Sequence, residues 1–162
     1  MNKILKISKG QGEQVQVLSD TVTIKASGKD SDGALTIVEV ICPPGGGPPV
    51  HRHPSAETFY VLSGILSVSV QHEGQLETVD LSAGDTINIR SMQWHGYRNN
   101  SDEPVCFLAM LTPAGMEDFF RELGQPISSE ITPSIPAGPP SPEEQERILS
   151  IIHKYVEVQL PA

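Results

Sequence analysis

Four side chains in this sequence carry chemistry at a workable spacing: His51, His53, Glu57 and His95. Successive residues of an extended strand point to opposite faces, so His51 and His53 share a face. Glu57 has the same parity and joins them where the chain folds back into the next strand. His95, on a later strand, completes a cage of imidazole nitrogens and a carboxylate oxygen. Such a donor set suits one divalent transition metal ion: iron, nickel, manganese, cobalt, copper or zinc. A lone His-x-His is more often a surface pair. The glutamate, the bracketing glycines and the distant second histidine make metal binding the better reading.

The residues fall into two blocks. The first is Gly45-x5-His51-x-His53-x3-Glu57-x6-Gly64, and the second is Gly84-x5-Arg90-x-Met92-x2-His95-x3-Asn99. Together they resemble the paired motifs of the cupin superfamily. Arg90 and Met92 stand where that family usually carries proline and glycine. The ligand is kept, but the turn before it is in question, because methionine takes positive φ less cheaply than glycine. Residues 43–53, 57–64 and 112–124 resemble the bacterial quercetinase-like branch. The resemblance implies an all-β fold, a cupin-type double-stranded jelly-roll barrel with two C-terminal helices, with a metal at its centre.

The elements that must hold the site are legible in outline. Thr21–Ala26 and Leu35–Cys42 are rich in Val, Ile and Thr and read as strands. The Pro/Gly run from Pro43 to Pro49 supports neither ladder nor helix and should be a stiff loop delivering His51. Phe59–Leu62, Leu66–Val70, Leu76–Leu81, Thr86–Ile89, Trp94–Arg98 and Val105–Leu111 follow as short strands, with a hairpin turn at residues 72–75. Many short strands with regular turns point to a jelly roll. Met116, Phe119, Phe120 and Leu123 then recur at helical spacing. Ser141-Pro142-Glu143-Glu144 has the form of a capping box, and Ile148, Ile151, Ile152 and Tyr155 form the stripe of a second helix. Both stripes are expected to pack on the barrel, with a ligand-contacting lid as the alternative. Residues 1–124 are expected to form the barrel and first helix. Residues 125–162 would add a Pro-rich extension, running over the surface to Pro140, and the second helix, in the same domain.

At 162 residues the chain can bury one core without staples, and its formal charge of −9 argues against nucleic acid or an anionic membrane as partner. Cys42 and Cys106 are expected as buried reduced thiols, and no stretch reads as a signal peptide or span. A cytoplasmic location follows by default, and the resemblance implies a homodimer.

For the pocket, Tyr97 shares parity with His95, Phe59 and Val61 follow Glu57, and Phe107 and Ala109, with Leu111, supply an apolar wall. Core packing is the plain alternative for each. Trp94 has opposite parity and should pack outward. Arg90 either meets a substrate anion at the mouth or is solvated, and His72 and His153 are not expected as ligands. Glu57 is expected as a ligand that, swung partly off the metal, can also act as a general base, the second role being implied by the resemblance. Three functions stay open. The first is a dioxygenase acting with dioxygen on a small enol or polyphenol, flavonol-like substrate. The second is a non-oxidative isomerase or lyase, and the third a small-molecule-binding module with an architectural metal.

Overall fold

Alternation of apolar and polar residues forces the strands to bury one face, and two sheets meet over those faces. A computed structural model of the chain describes residues 5–127 and 140–159. The strands are β1 (Glu13–Val17), β2 (Asp20–Ala26), β3 (Thr36–Cys42), β4 (His51–Arg52), β5 (Ala56–Ser63), β6 (Ile65–His72), β7 (Gln75–Ser82), β8 (Thr86–Ile89), β9 (His95–Arg98), β10 (Val105–Thr112), β11 (Gln125–Pro126) and β12 (Glu157–Val158). The helices are α1 (Met116–Leu123) and α2 (Pro142–Tyr155). One sheet runs β11-β1-β2-β3-β10-β5-β8 and the other β12-β4-β9-β6-β7. All pairings among the described residues are antiparallel, which is the expected jelly roll.

Val38, Val40, Phe59, Val61, Leu66, Val68, Phe107 and Leu111 fill the space between the sheets at 3% exposure or less. Along β10 the burial alternates without a break, as a half-buried strand requires. The hairpin at residues 72–75 closes through Glu73 and Gly74, both at positive φ (49° and 83°), the signature of a type I′ turn.

Three elements escaped the sequence reading. Strand β1 pairs with β2, and the two-residue strands β11 and β12 add themselves to the edges of the two sheets. Of the extension expected over Gln125–Pro140, Gln125 and Pro126 form β11, while residues 128–139 lie outside the described residues.

The Pro43–Pro49 loop forms no ladder, as expected. It passes so close to β9 that a side chain at Gly47 (φ 124°) would put its Cβ 2.1 Å from the Tyr97 carbonyl oxygen. Only glycine fits there, and the loop can thus lie flat against the strand that carries His95. Met92 takes φ 60°, so the turn before His95 keeps a left-handed residue even with methionine in the glycine position. The Met92 amide donates to the His53 carbonyl oxygen (2.9 Å), which ties that turn to the first ligand block.

Candidate metal centre

β4 carries His51, the loop after it His53, β5 Glu57 and β9 His95. Register brings them together: His51 pairs with His95 across β4 and β9, and β5 enters from the facing sheet. The three imidazole centroids lie 4.5–5.7 Å apart. One ring nitrogen from each histidine falls within 4.8 Å of the others. The Glu57 Oε2 oxygen lies 3.3 Å from His53 Nε2 and 3.1 Å from His95 Nε2. Donor atoms about 2.1 Å from a shared ion stand about 3.0–3.4 Å apart along the edges of its coordination polyhedron, so these separations fit one.

The outer nitrogens explain the orientation of two rings. His51 Nδ1 donates to the Pro49 carbonyl oxygen (2.9 Å) and His95 Nδ1 to that of Gln93 (2.8 Å). A proton held there leaves Nε2 with its lone pair, the tautomer a metal needs. His53 Nδ1 is buried with no hydrogen-bond partner. Burial and the neighbouring His95 push His51 down to about 4, so its ring is neutral at neutral pH. Burial alone would raise Glu57, but hydrogen bonds from His53 and His95 outweigh it and hold the carboxyl at about 2. Burial lowers His95, and the Glu57 carboxylate more than reverses this, raising it. A carboxylate facing lone-pair nitrogens is repulsive unless a proton or a cation sits between them. The donor set therefore fits a divalent cation, and the chemistry of imidazole and carboxylate leaves the ion open among the borderline metals.

Beside this cluster the sheets and helices line a partly open cavity of about 100 Å³. His51, His53, Glu57, Phe59, Tyr97, Phe107, Ala109 and Leu111 line it, so most of the expected pocket residues are on its wall. Val61 is buried in the core and is not on the wall. Phe59, Tyr97 and Phe107 pack edge to face with centroids 5.0–5.7 Å apart. Trp94 is half-buried with the Arg52 guanidinium 4.6 Å above its ring, while Arg90, His72 and His153 are exposed. Cys42 is buried and Cys106 half-buried, and both are free thiols.

The helical stripes, expected to pack on the barrel with a ligand contact as the alternative, reach the wall: Met116, Phe119, Phe120 and Leu123 of α1 line the cavity, joined by Ile152 from α2 and by Val156 and Val158. The sequence reading missed two contributors. The carbonyls of Pro49 and Gln93 carry no sequence signal. Asp20 also lines the wall, and its parity with Val22 and Ile24 was the signal that could have found it.

Residues 38–111 match the cupin domain family model. Over 131 residues, 80% of this chain, the sequence is 30% identical to the quercetin 2,3-dioxygenase of Bacillus subtilis (strain 168). The chain spans only 37% of that relative's length. Among solved structures, oxalate decarboxylase from Bacillus subtilis superposes with a TM-score of 0.56 at 25% identity, covering 63% of this chain and 28% of that one. An oxalate oxidase gives 0.53 at 22%, covering 60% and 54%, a likeness of fold alone. The chain belongs to the cupin superfamily, and its sequence likeness is to the quercetinase-like branch. With the three-histidine group it is a metal-binding cupin.

Proposed function

We propose that this cupin is a dioxygenase that acts on a small enol or polyphenol, with His51, His53, Glu57 and His95 as the metal ligands. The observation that carries the reading is the convergence of three imidazoles and one buried carboxylate, of which His51, His53 and Glu57 line an apolar cavity. When bound, a divalent ion supplies a Lewis acid for an enol oxygen and a redox centre for dioxygen. The chain's own residues do the rest. The carbonyls of Pro49 and Gln93 fix two imidazoles with Nε2 toward the site. Glu57 accepts the proton of an acidic substrate hydroxyl, acting as general base from within hydrogen-bond reach of the site. Phe59, Phe107, Ala109 and Leu111 exclude water from the substrate's apolar part.

The cavity bounds the substrate. It is partly open, so a one-ring enol or a diketone can enter with part of its surface toward the mouth, whereas a three-ring flavonol would leave most of its surface outside. A homodimer belongs to the same reading, supported by Ile41, Tyr60 and Leu62, which stand exposed on the outer face of the larger sheet.

Elemental analysis of protein purified without added metal, followed by oxygen-electrode assays against diketones, one-ring enols and flavonols, tests the proposal. Oxygen uptake in step with substrate loss, abolished by Glu57→Ala, is expected. Metal-loaded protein that turns over one of these without consuming oxygen would move the reading to an isomerase or lyase.

A further inference from the structure

Besides Glu57, the cavity wall carries one other acidic side chain among the described residues, Asp20. It opens β2 at an inward-facing position and is 5% exposed. Tyr97 reaches it from the other sheet, its hydroxyl donating to Asp20 Oδ2 at 2.6 Å. Ser19 Oγ donates to Oδ1 at 3.2 Å, while the Cys42 thiol donates to the Pro43 carbonyl oxygen (3.7 Å). Burial raises the Asp20 pKa above its ordinary value, and hydrogen bonding offsets only part of that.

A cross-sheet tie would account for Tyr97 and Asp20 meeting. It does not account for both lining the cavity while the wall around them is Val17, Val22, Val38, Val40 and Phe107. A carboxylate offers about four acceptor positions, so the Tyr97 and Ser19 donors leave about two open. An acceptor held in an apolar cavity favours a ligand that brings a donor and penalises one that does not.

We propose that Asp20, its carboxylate held by Tyr97, is a second recognition point of this cavity, selecting small ring or enol ligands that carry a hydroxyl directed away from the histidine centre. This deepens the reading of the cavity as a substrate site and rests on it, but does not depend on which ion is bound. Asp20 accepts the hydroxyl proton as a hydrogen bond, and the apolar walls take the ring. Such a ligand is gripped at two places, at the histidines by one oxygen and at Asp20 by another.

Phenol and toluene, which differ by a hydroxyl in place of a methyl, are suitable probes. Their binding to the full chain is measured by titration followed by NMR, once with zinc bound and once after chelation. Wild-type protein should bind phenol at least tenfold more tightly than toluene in both states, as a donor-seeking site requires. Asp20→Asn, which keeps the shape, should bring the preference below threefold, and Asp20→Leu should reverse it. Unfolding temperatures establish that each variant is folded, and Asp20→Asn carries the test if Asp20→Leu is not. Equal binding of the probes by wild type overturns the proposal. So does a preference unchanged in Asp20→Asn, or one lost on chelation, which would place the hydroxyl on the ion. A phenol preference that behaves as expected in protein consuming no oxygen would sink the dioxygenase reading and leave Asp20's role standing.

Discussion

Two buried glutamates in this molecule look alike and do different work. Glu57 is 7% exposed and Glu117 is 5% exposed, and in both burial would raise the pKa but hydrogen bonds bring it below the ordinary value. The donors separate them. Glu117 accepts from the Thr36 hydroxyl, from the Gly28 amide (2.6 Å) and from the Gly115 amide (2.8 Å). Those donors belong to the β2–β3 connection, β3 and the start of α1, and none can exchange its proton for a metal. Glu57 accepts from ring nitrogens, which can release the proton and turn a lone pair to a cation. A buried carboxylate ringed by peptide N–H groups is a rivet, whereas one ringed by imidazoles is an ion site.

The contrast breaks most visibly if the rivet is removed. Glu117→Ala strands the Thr36 hydroxyl, the Gly28 amide and the Gly115 amide at the start of α1, whose N-cap offers no side-chain cap of its own. With hydrogen bonds to a charged group contributing about 1.5–3 kcal/mol each, three of them put the expected loss at about 4.5 kcal/mol or more, read by urea unfolding. Metal affinity should be unchanged wherever the variant is folded. The reciprocal experiment acts on the histidines around the other carboxylate. Zinc or manganese at about 100 times its Kd should stabilise wild type by about 2.7 kcal/mol, and His95→Ala should abolish that increment. If Glu117→Ala lost the metal-linked stabilisation as fully as His95→Ala does, the division between the two glutamates would fail.

Acid sharpens the comparison with a smaller effect. A carboxyl whose folded pKa lies below its unfolded value adds stability above the unfolded pKa, near 4.5, and loses it as pH falls through the folded pKa. Glu117 is therefore expected to make metal-free protein progressively less stable below about pH 4.5. Glu117→Gln should flatten that decline in unfolding curves taken with chelator present. A slope identical to wild type would mean that another carboxylate dominates the acid limb.

The same contrast bounds what could be read beforehand. His51, His53, Glu57 and His95 were legible because strand parity and spacing are visible in one dimension. Strands β2, β3 and β5 through β10 were legible for the same reason. Glu117 was not, because an acidic residue in the first turn of a helix ordinarily reads as a partner for the helix dipole. Its contacts with Gly28 and Thr36 span 89 and 81 residues, and no local pattern encodes them. Asp20 was passed over since a lone acid at a strand's start ordinarily reads as turn chemistry. The two-residue strands β11 and β12 arise from edge pairing, for which so short a segment has no signature. Met92 was legible only as a departure. What the sequence withheld was the resolution: Met92 itself takes the left-handed form, and its amide hydrogen-bonds to the His53 carbonyl oxygen.

That turn offers the smallest effect, and it tests whether the ion site is held by strain. Met92 is 39% exposed, so little packing is lost when its side chain goes. A left-handed conformation costs a side-chain-bearing residue about 1–2 kcal/mol, while glycine gives back part of that through the entropy of the unfolded chain. Met92→Gly should therefore raise stability by about 0.5–1 kcal/mol, read from the urea midpoint at unchanged slope. If the hydrogen bond from residue 92 to His53 is what places the ligand, zinc affinity will stay within twofold of wild type. A gain in stability joined to a tenfold loss of affinity would show the opposite: that the methionine side chain, and not the backbone bond, keeps His53 facing Glu57.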